Sequence, residues 1–191
     1  MDPDRSLVDA AAAGDRDAFG ALVSRYQSRI VNLARTLTSE AAEADDLAQE
    51  TFVRVYKSIG GFRGDSTFRT WLYRVAVNVI HSYLAGRARR WHWFGSGTDE
   101  RQREMADVAD AHGPRAIEDD VIRRDLIDRA LASLPPDMRI AVTLRDMHGF
   151  DYAEIAAMLK IPIGTVESRI FRARQRLRPL LAPLVASKGR A

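Results

Sequence analysis

Apolar residues recur at helical intervals along nearly the whole chain, and nowhere at the period of two that marks a half-buried strand. Phe19, Leu22, Val23, Tyr26, Ile30, Leu33 and Leu37 form one stripe, with Asp15 placed to cap its start. A second helix is expected from about Glu40 to Ile59, stopped by Gly60 and Gly61. On it Ala44, Leu47, Ala48, Thr51, Phe52, Val55 and Ile59 share one inward face. After a loop over Phe62, Arg63, Gly64, Asp65 and Ser66, a third helix is expected to run towards Gly86, capped by Ser66 or Asp65. Its core face is Phe68, Leu72, Val75, Val79 and Tyr83.

The pattern then dissolves. The segment WHWFGSGTDERQREMADVADAHG, Trp91 to Gly113, is polar and aperiodic beyond its opening aromatics, the composition of a flexible linker. Helical spacing returns with Ile117, Val121, Ile122, Leu126, Ala130, Leu131 and Leu134, ends before Pro135 and Pro136, and resumes over Asp137 to His148. The expected fold is therefore all-α, with a helical domain at 1–90, a linker at 91–113 and a second helical domain at 114–191.

Within the second domain, DYAEIAAMLKIPIGTVESRIFRARQRLR (Asp151 to Arg178) has the grammar of a helix-turn-helix. Asp151 and Glu154 make a capping box, Ile155, Ala156 and Leu159 face inward, and Ile161 to Gly164 supplies the turn. On the second helix Val166, Ile170 and Leu177 form the packing stripe. That leaves Glu167, Ser168, Phe171, Arg172 and Gln175 pointing away, with Thr165 at the start of the same helix. Arg169, Arg174, Arg176 and Arg178 flank them. Such a mixture divides into base-edge contacts and phosphate contacts in a major groove.

Two faces of the first domain carry further chemistry. On the second helix Asp45, Asp46, Gln49, Glu50, Val53, Tyr56 and Lys57 lie opposite the core, an acidic surface with two apolar anchors that suits a basic protein partner. On the third helix Thr70, Arg74, Asn78 and His81 form a polar stripe with Trp71 at its margin, followed by Arg87 and Arg90. Amide, hydroxyl, basic and aromatic groups together suit bases taken out of the stack.

The net charge is only +3, but it is unevenly placed. Glu40 to Glu50 holds five acids and no base, whereas Arg169 to Arg178 holds five Arg and no acid. A free chain so charged gains little counterion-release affinity for DNA. There are no cysteines, which excludes disulfides and thiolate metal sites, and no metal or cofactor is expected. His81, His92, His112 and His148 are scattered, and no phosphate-binding loop is present, so an enzyme acting on nucleic acid, such as a serine recombinase, is not the expectation. The N-terminus lacks a signal-peptide pattern, and no apolar run approaches the ~18 residues of a membrane span, which points to the cytoplasm.

Three segments in order resemble one family. DLAQETFVRVY (Asp46 to Tyr56), FRGDSTFRTWLYRVAVNVIHSYL (Phe62 to Leu84) and the stretch from Leu134 to Arg178 are similar to the polymerase-binding, −10-reading and −35-reading elements of bacterial RNA polymerase sigma factors of the extracytoplasmic-function (group IV) class. The resemblance implies a sigma-2-like and a sigma-4-like domain, and as partners core RNA polymerase, promoter DNA and an anti-sigma factor. No small-molecule substrate and no membrane insertion are implied. It places core-polymerase binding on Asp45, Asp46, Leu47, Gln49, Glu50 and Phe52, with Leu47 and Phe52 supporting from the core side. It places flipped bases at Phe62, Arg63, Gly64, Asp65, Ser66, Thr67 and Phe68, with Asn78, and −35 contacts at Glu167, Ser168, Arg169, Phe171 and Arg172. The alternative is a stand-alone helix-turn-helix regulator that binds a palindromic site without polymerase.

Overall fold

The computed structural model describes residues 2–94 and 115–187, and every regular element among the described residues is helical. Helices α1 (Arg5–Ala12), α2 (Arg16–Thr38), α3 (Ala41–Ser58) and α4 (Phe68–Phe94) form the first half; α5 (Arg115–Ala132), α6 (Pro136–Val142), α7 (Tyr152–Leu159) and α8 (Ile163–Ser187) form the second.

 Asp15 caps α2 as the spacing predicts, accepting from the Asp17 and Ala18 amides at 2.9 and 3.0 Å. Asp151 and Glu154 close their capping box ahead of α7, which ends at Leu159 with Lys160 in the left-handed conformation.

Several local expectations are corrected. Helix α1 is an additional element: Val8 and Ala11 are buried, and the fully buried Asp4 carboxylate accepts from Arg25 and from the Tyr26 hydroxyl. The cap of α4 is neither Ser66 nor Asp65. Thr67 Oγ1 accepts the Thr70 amide at 3.1 Å, and Asp2 Oδ2, brought in from the N-terminus, accepts the Phe68 amide at 2.6 Å. Helix α4 also passes through Gly86 to Phe94, into the segment expected as linker. A glycine inside a helix costs only about 1 kcal/mol, and the Ala and Arg residues around it are good helix formers. The rest of that segment, 95–113, lies outside the described residues. The expected helix over 137–148 divides into α6 and a π-turn, Thr143–Met147, closed by Gly149 at φ 71°. Ile122, expected inward, is 63% exposed.

The larger difference is tertiary. The two halves share one continuous apolar core, running from Leu22, Ile30 and Leu72 through Tyr73 and Phe150 to Ile155, Val166 and Ile170. A smaller cluster of Ala130, Leu131, Leu134, Val142, Ala173 and Leu177 holds α5, α6 and α8 together. Helix α4 is consequently buried on more than one face. Besides the expected Phe68, Leu72 and Val79, the residues Tyr73, Val77 and Ile80 are no more than 3% exposed. These three fall at spacings of four and three, a second apolar stripe that α7, His148 and Phe150 help to cover.

Candidate polymerase and nucleic-acid interfaces

On α3 the inward residues carry the outward ones. Leu47 and Phe52 are 4% and 8% exposed, so they hold the helix rather than offer contact. Asp45, Asp46, Gln49 and Glu50 are exposed, and Val53 and Tyr56 stand 46% and 48% exposed beside them. The Tyr56 ring meets Phe19 edge-on at 5.0 Å, which restrains it although half its surface is wet. Glu50 pairs with Arg54 at 2.5 Å, a basic residue within the acidic face that periodicity did not single out. The result is a pre-shaped patch with two apolar anchors inside a charged surround.

The loop before α4 is built on aromatics. Phe62 is half-buried and packs on Trp71 at 5.2 Å and on Phe68 at 6.2 Å. Arg63, Gly64, Asp65 and Thr67 are exposed and Ser66 is partly so. Gly64 takes φ 78°, a left-handed conformation that calls for glycine, while a Cβ there would meet only the movable tip of the Arg5 side chain. Of the predicted site residues on α4 itself, Asn78 and His81 are exposed and Arg74 is partly so, whereas Phe68, Thr70 and Trp71 are 0%, 8% and 9% exposed. Those three form the floor under the loop. Arg87 is paired with Glu40 ahead of α3, and the Arg90 side chain lies outside the described residues.

On α8 Val166, Ile170, Ala173 and Leu177 are buried, which turns Glu167, Phe171, Arg172, Gln175 and Arg176 to solvent. Phe171 is 63% exposed. Thr165 is half-buried, and its carbonyl accepts from the Ser168 hydroxyl at 3.0 Å. Two of the expected phosphate ligands are engaged within the protein: Arg169 donates to Asp137 at 2.5 Å, and Arg174 donates to both carboxylate oxygens of Asp146 at 3.1 and 2.6 Å. Exposed pairs of this kind are worth at most about 1 kcal/mol, so phosphate can displace them.

Between the halves lies a polar seam. Thr70 donates to Glu154 at 2.8 Å, so a capping-box residue of α7 also ties α4. Arg69 donates to the His148 carbonyl and lies over the Phe150 ring at 4.1 Å, while the Tyr73 hydroxyl sits 2.9 Å from His148 Nδ1. Arg139 donates to the Leu37 carbonyl and Ser39 hydroxyl, both at 3.1 Å, and to the Ala132 and Leu134 carbonyls at 2.5 and 3.2 Å. The stripe residues Asn78 and His81 face a cleft of about 350 Å³ whose far wall includes Lys160, Ile161 and Arg169. Arg69, Tyr73, Arg139 and His148 were not candidates from sequence. The Tyr73, Val77, Ile80 spacing was the one signal pointing to a second buried face.

Burial, helped by the nearby Arg69 and Arg29 cations, lowers the His148 imidazole from 6.5 to about 4. The folded seam thus binds the proton less readily than the unfolded chain. Its contribution is complete above pH 6.5 and is lost as pH falls towards 4, by about 3 kcal/mol at most. Denaturant unfolding at pH 7 and pH 4.5 should therefore show a larger acid loss for the wild type than for His148→Gln. Parallel losses would mean that His148 is not the titrating group.

Comparisons with known proteins match the two halves to two regions of one family. Residues 22–90 match the family described as Sigma-70 region 2, and residues 124–177 match Sigma-70, region 4. The chain is 38% identical over 191 residues to the RNA polymerase sigma-H factor of Pseudomonas aeruginosa, covering 97% of each. It is 38% identical to the ECF RNA polymerase sigma-E factor of Escherichia coli, covering 95% of this chain and 96% of that one. Among solved structures, the sigma factor RpoE in complex with the anti-sigma factor NepR from Bartonella quintana superposes with a TM-score of 0.69 at 27% identity, covering 86% of this chain and 96% of that one.

Proposed function

Because the chain belongs to the ECF class of sigma-70 RNA polymerase sigma factors, we propose that it joins core polymerase through α3, reads promoter DNA through α4 and α8, and is held in check by an anti-sigma factor. The observation that carries the DNA-reading part is α8, where four buried residues present Glu167, Phe171, Arg172, Gln175 and Arg176 to solvent as one face. In this reading the protein is an initiation factor, not a catalyst. It works in the cytoplasm, beside the polymerase; no helix among the described residues is long and apolar enough to cross a membrane.

The closed arrangement bears on how it acts. Elements centred near −10 and −35 are about 25 base pairs apart, or roughly 85 Å along B-DNA at about 3.4 Å per pair. A compact chain of this length has a radius of gyration of only about 16 Å. The two halves must therefore separate before both elements are read. Separation breaks the Thr70–Glu154 bond and opens the cleft beside Asn78 and His81, exposing the stripe that would receive unstacked bases. Docking of α3 on the polymerase, with α8 held at the upstream element, offsets the loss of the seam through effective concentration. Bases taken out of the stack then lie against the Phe62–Thr67 loop, where exposed polar groups stand on an aromatic floor.

In-vitro transcription with purified core polymerase tests the proposal: discrete transcripts should require both components. Tight DNA binding by the chain alone, with no transcripts, would instead favour a stand-alone regulator. On the same templates Arg172→Ala should cost about 1–3 kcal/mol on the cognate upstream element and little on scrambled DNA. Arg176→Ala should weaken both equally and flatten the salt dependence. Equal behaviour of the two variants would remove Arg172 from base reading.

A further inference from the structure

A second cleft, larger than the one beside Asn78, opens between α2, α4, α5 and the π-turn, with a volume of about 1230 Å³. Five guanidinium groups line it: Arg29 and Arg35 from α2, Arg69 from α4, and Arg123 and Arg124 from α5. Two carboxylates, Asp125 and Asp128, line it as well. Asp125 is engaged with Arg129 at 2.8 Å, and burial raises the Asp128 pKa despite the nearby Arg35 and Arg124. Among the described residues, Arg29, Arg123 and Arg124 have no ion pair. Five guanidinium groups against two carboxylates leave an excess of positive charge in a concave space.

Two polar atoms of lining residues also lack a partner. Arg69 Nε is buried without a hydrogen-bond partner, and so is His148 Nε2. Guanidinium forks match phosphate oxygens two at a time. In an oligophosphate the terminal group brings three acceptor oxygens and up to two charges and each internal group two oxygens and one charge, packed more densely than the one charge per residue of an extended acidic peptide.

We propose that this cleft binds a compact oligophosphate anion, inorganic or nucleotide-borne, that bridges α2 and α5. Arg29, Arg35 and Arg69 belong to the first half of the molecule, Arg123, Arg124 and His148 to the second. The ligand therefore binds the closed form and not the separated halves, and by mass action it opposes opening. That consequence for transcription rests on the sigma-factor reading; the binding itself does not.

The test is titration calorimetry of the full chain with sodium tripolyphosphate and with ATP at matched ionic strength, alongside energy transfer between one dye on each half. One bound anion per chain is expected, with the dyes held close. Binding should weaken about tenfold or more in the Arg29→Gln/Arg124→Gln double variant and stay unchanged in Arg172→Gln/Arg176→Gln. Equal affinity for the two anions would mean that the phosphate chain is recognised; tighter ATP binding would identify a nucleotide. Affinity lost only in the α8 variant, binding of neither anion, or binding of oligoglutamate in their place would each overturn the proposal. The Arg29→Gln/Arg124→Gln protein should still support transcription with core polymerase but resist inhibition by the anion. Absence of transcription from the wild type without anion would count against the sigma reading and leave the binding result standing.

Discussion

Replacing Arg139 by alanine should loosen the contact between the two halves of the protein and lower its stability by about 3 kcal/mol. The guanidinium receives no carboxylate. Its acceptors are main-chain carbonyls and a hydroxyl at the C-terminal ends of two helices, Leu37 and Ser39 at the end of α2 and Ala132 and Leu134 at the end of α5. Both helix ends present unsatisfied carbonyls and the negative pole of the helix dipole, so one cation serves two of them. Burial lowers the Arg139 pKa, the cost of holding that charge out of water. Alanine would leave the carbonyls facing one another with no donor between them. For a chain of this size the change corresponds to a fall in melting temperature of about 6–12 °C. Dyes on the two halves should move apart at temperatures where the secondary structure persists. An unchanged melting point together with an unchanged dye distance would show that Arg139 is not the tie. Transcription with core polymerase should survive, because there the polymerase sets the separation of the halves.

Tyr56→Ala should weaken binding to core polymerase by about 2 kcal/mol, roughly 30-fold. The ring offers a large, half-exposed apolar surface on the outer side of α3, next to Val53 and among Asp46, Gln49 and Glu50. Its edge contact with Phe19 restrains it before any partner arrives, which lowers the entropy lost on docking. Aromatic anchors in such settings carry much of an interface's energy, while the surrounding acids steer association. Competition for core polymerase against the unmodified protein measures the effect directly. The melting temperature should fall only slightly, and upstream-element binding through α8 should not change. Undiminished affinity would place the docking surface elsewhere on the first half.

The longer helices of both halves, though not α1, were legible because each buries an amphipathic face whose period is written in the chain. The Val166, Ile170, Leu177 stripe is enough to turn Arg172 and Gln175 outward, and the Asp151–Glu154 box is enough to start α7. Local signals were weaker where a distant residue decided the outcome. Asp2 helps cap α4 from 66 residues away, so the sequence around Ser66 could not reveal it. Trp71 and Thr70 looked like part of an open polar stripe, yet one is roofed by Phe62 and the other is bonded to Glu154.

The sequence by itself determined an all-helical chain, its helix-turn-helix, an acidic face on α3 and a basic face on α8, since each of these depends on residues within a few turns of one another. Only the tertiary structure decided that the halves close on each other, that His148 is buried and hard to protonate, that Arg139 joins two helix ends, and that Arg29 and Arg124 face one cleft. Helical periodicity says that a face is buried but not what buries it, and contacts across 70 to 100 residues leave no periodic trace in the chain.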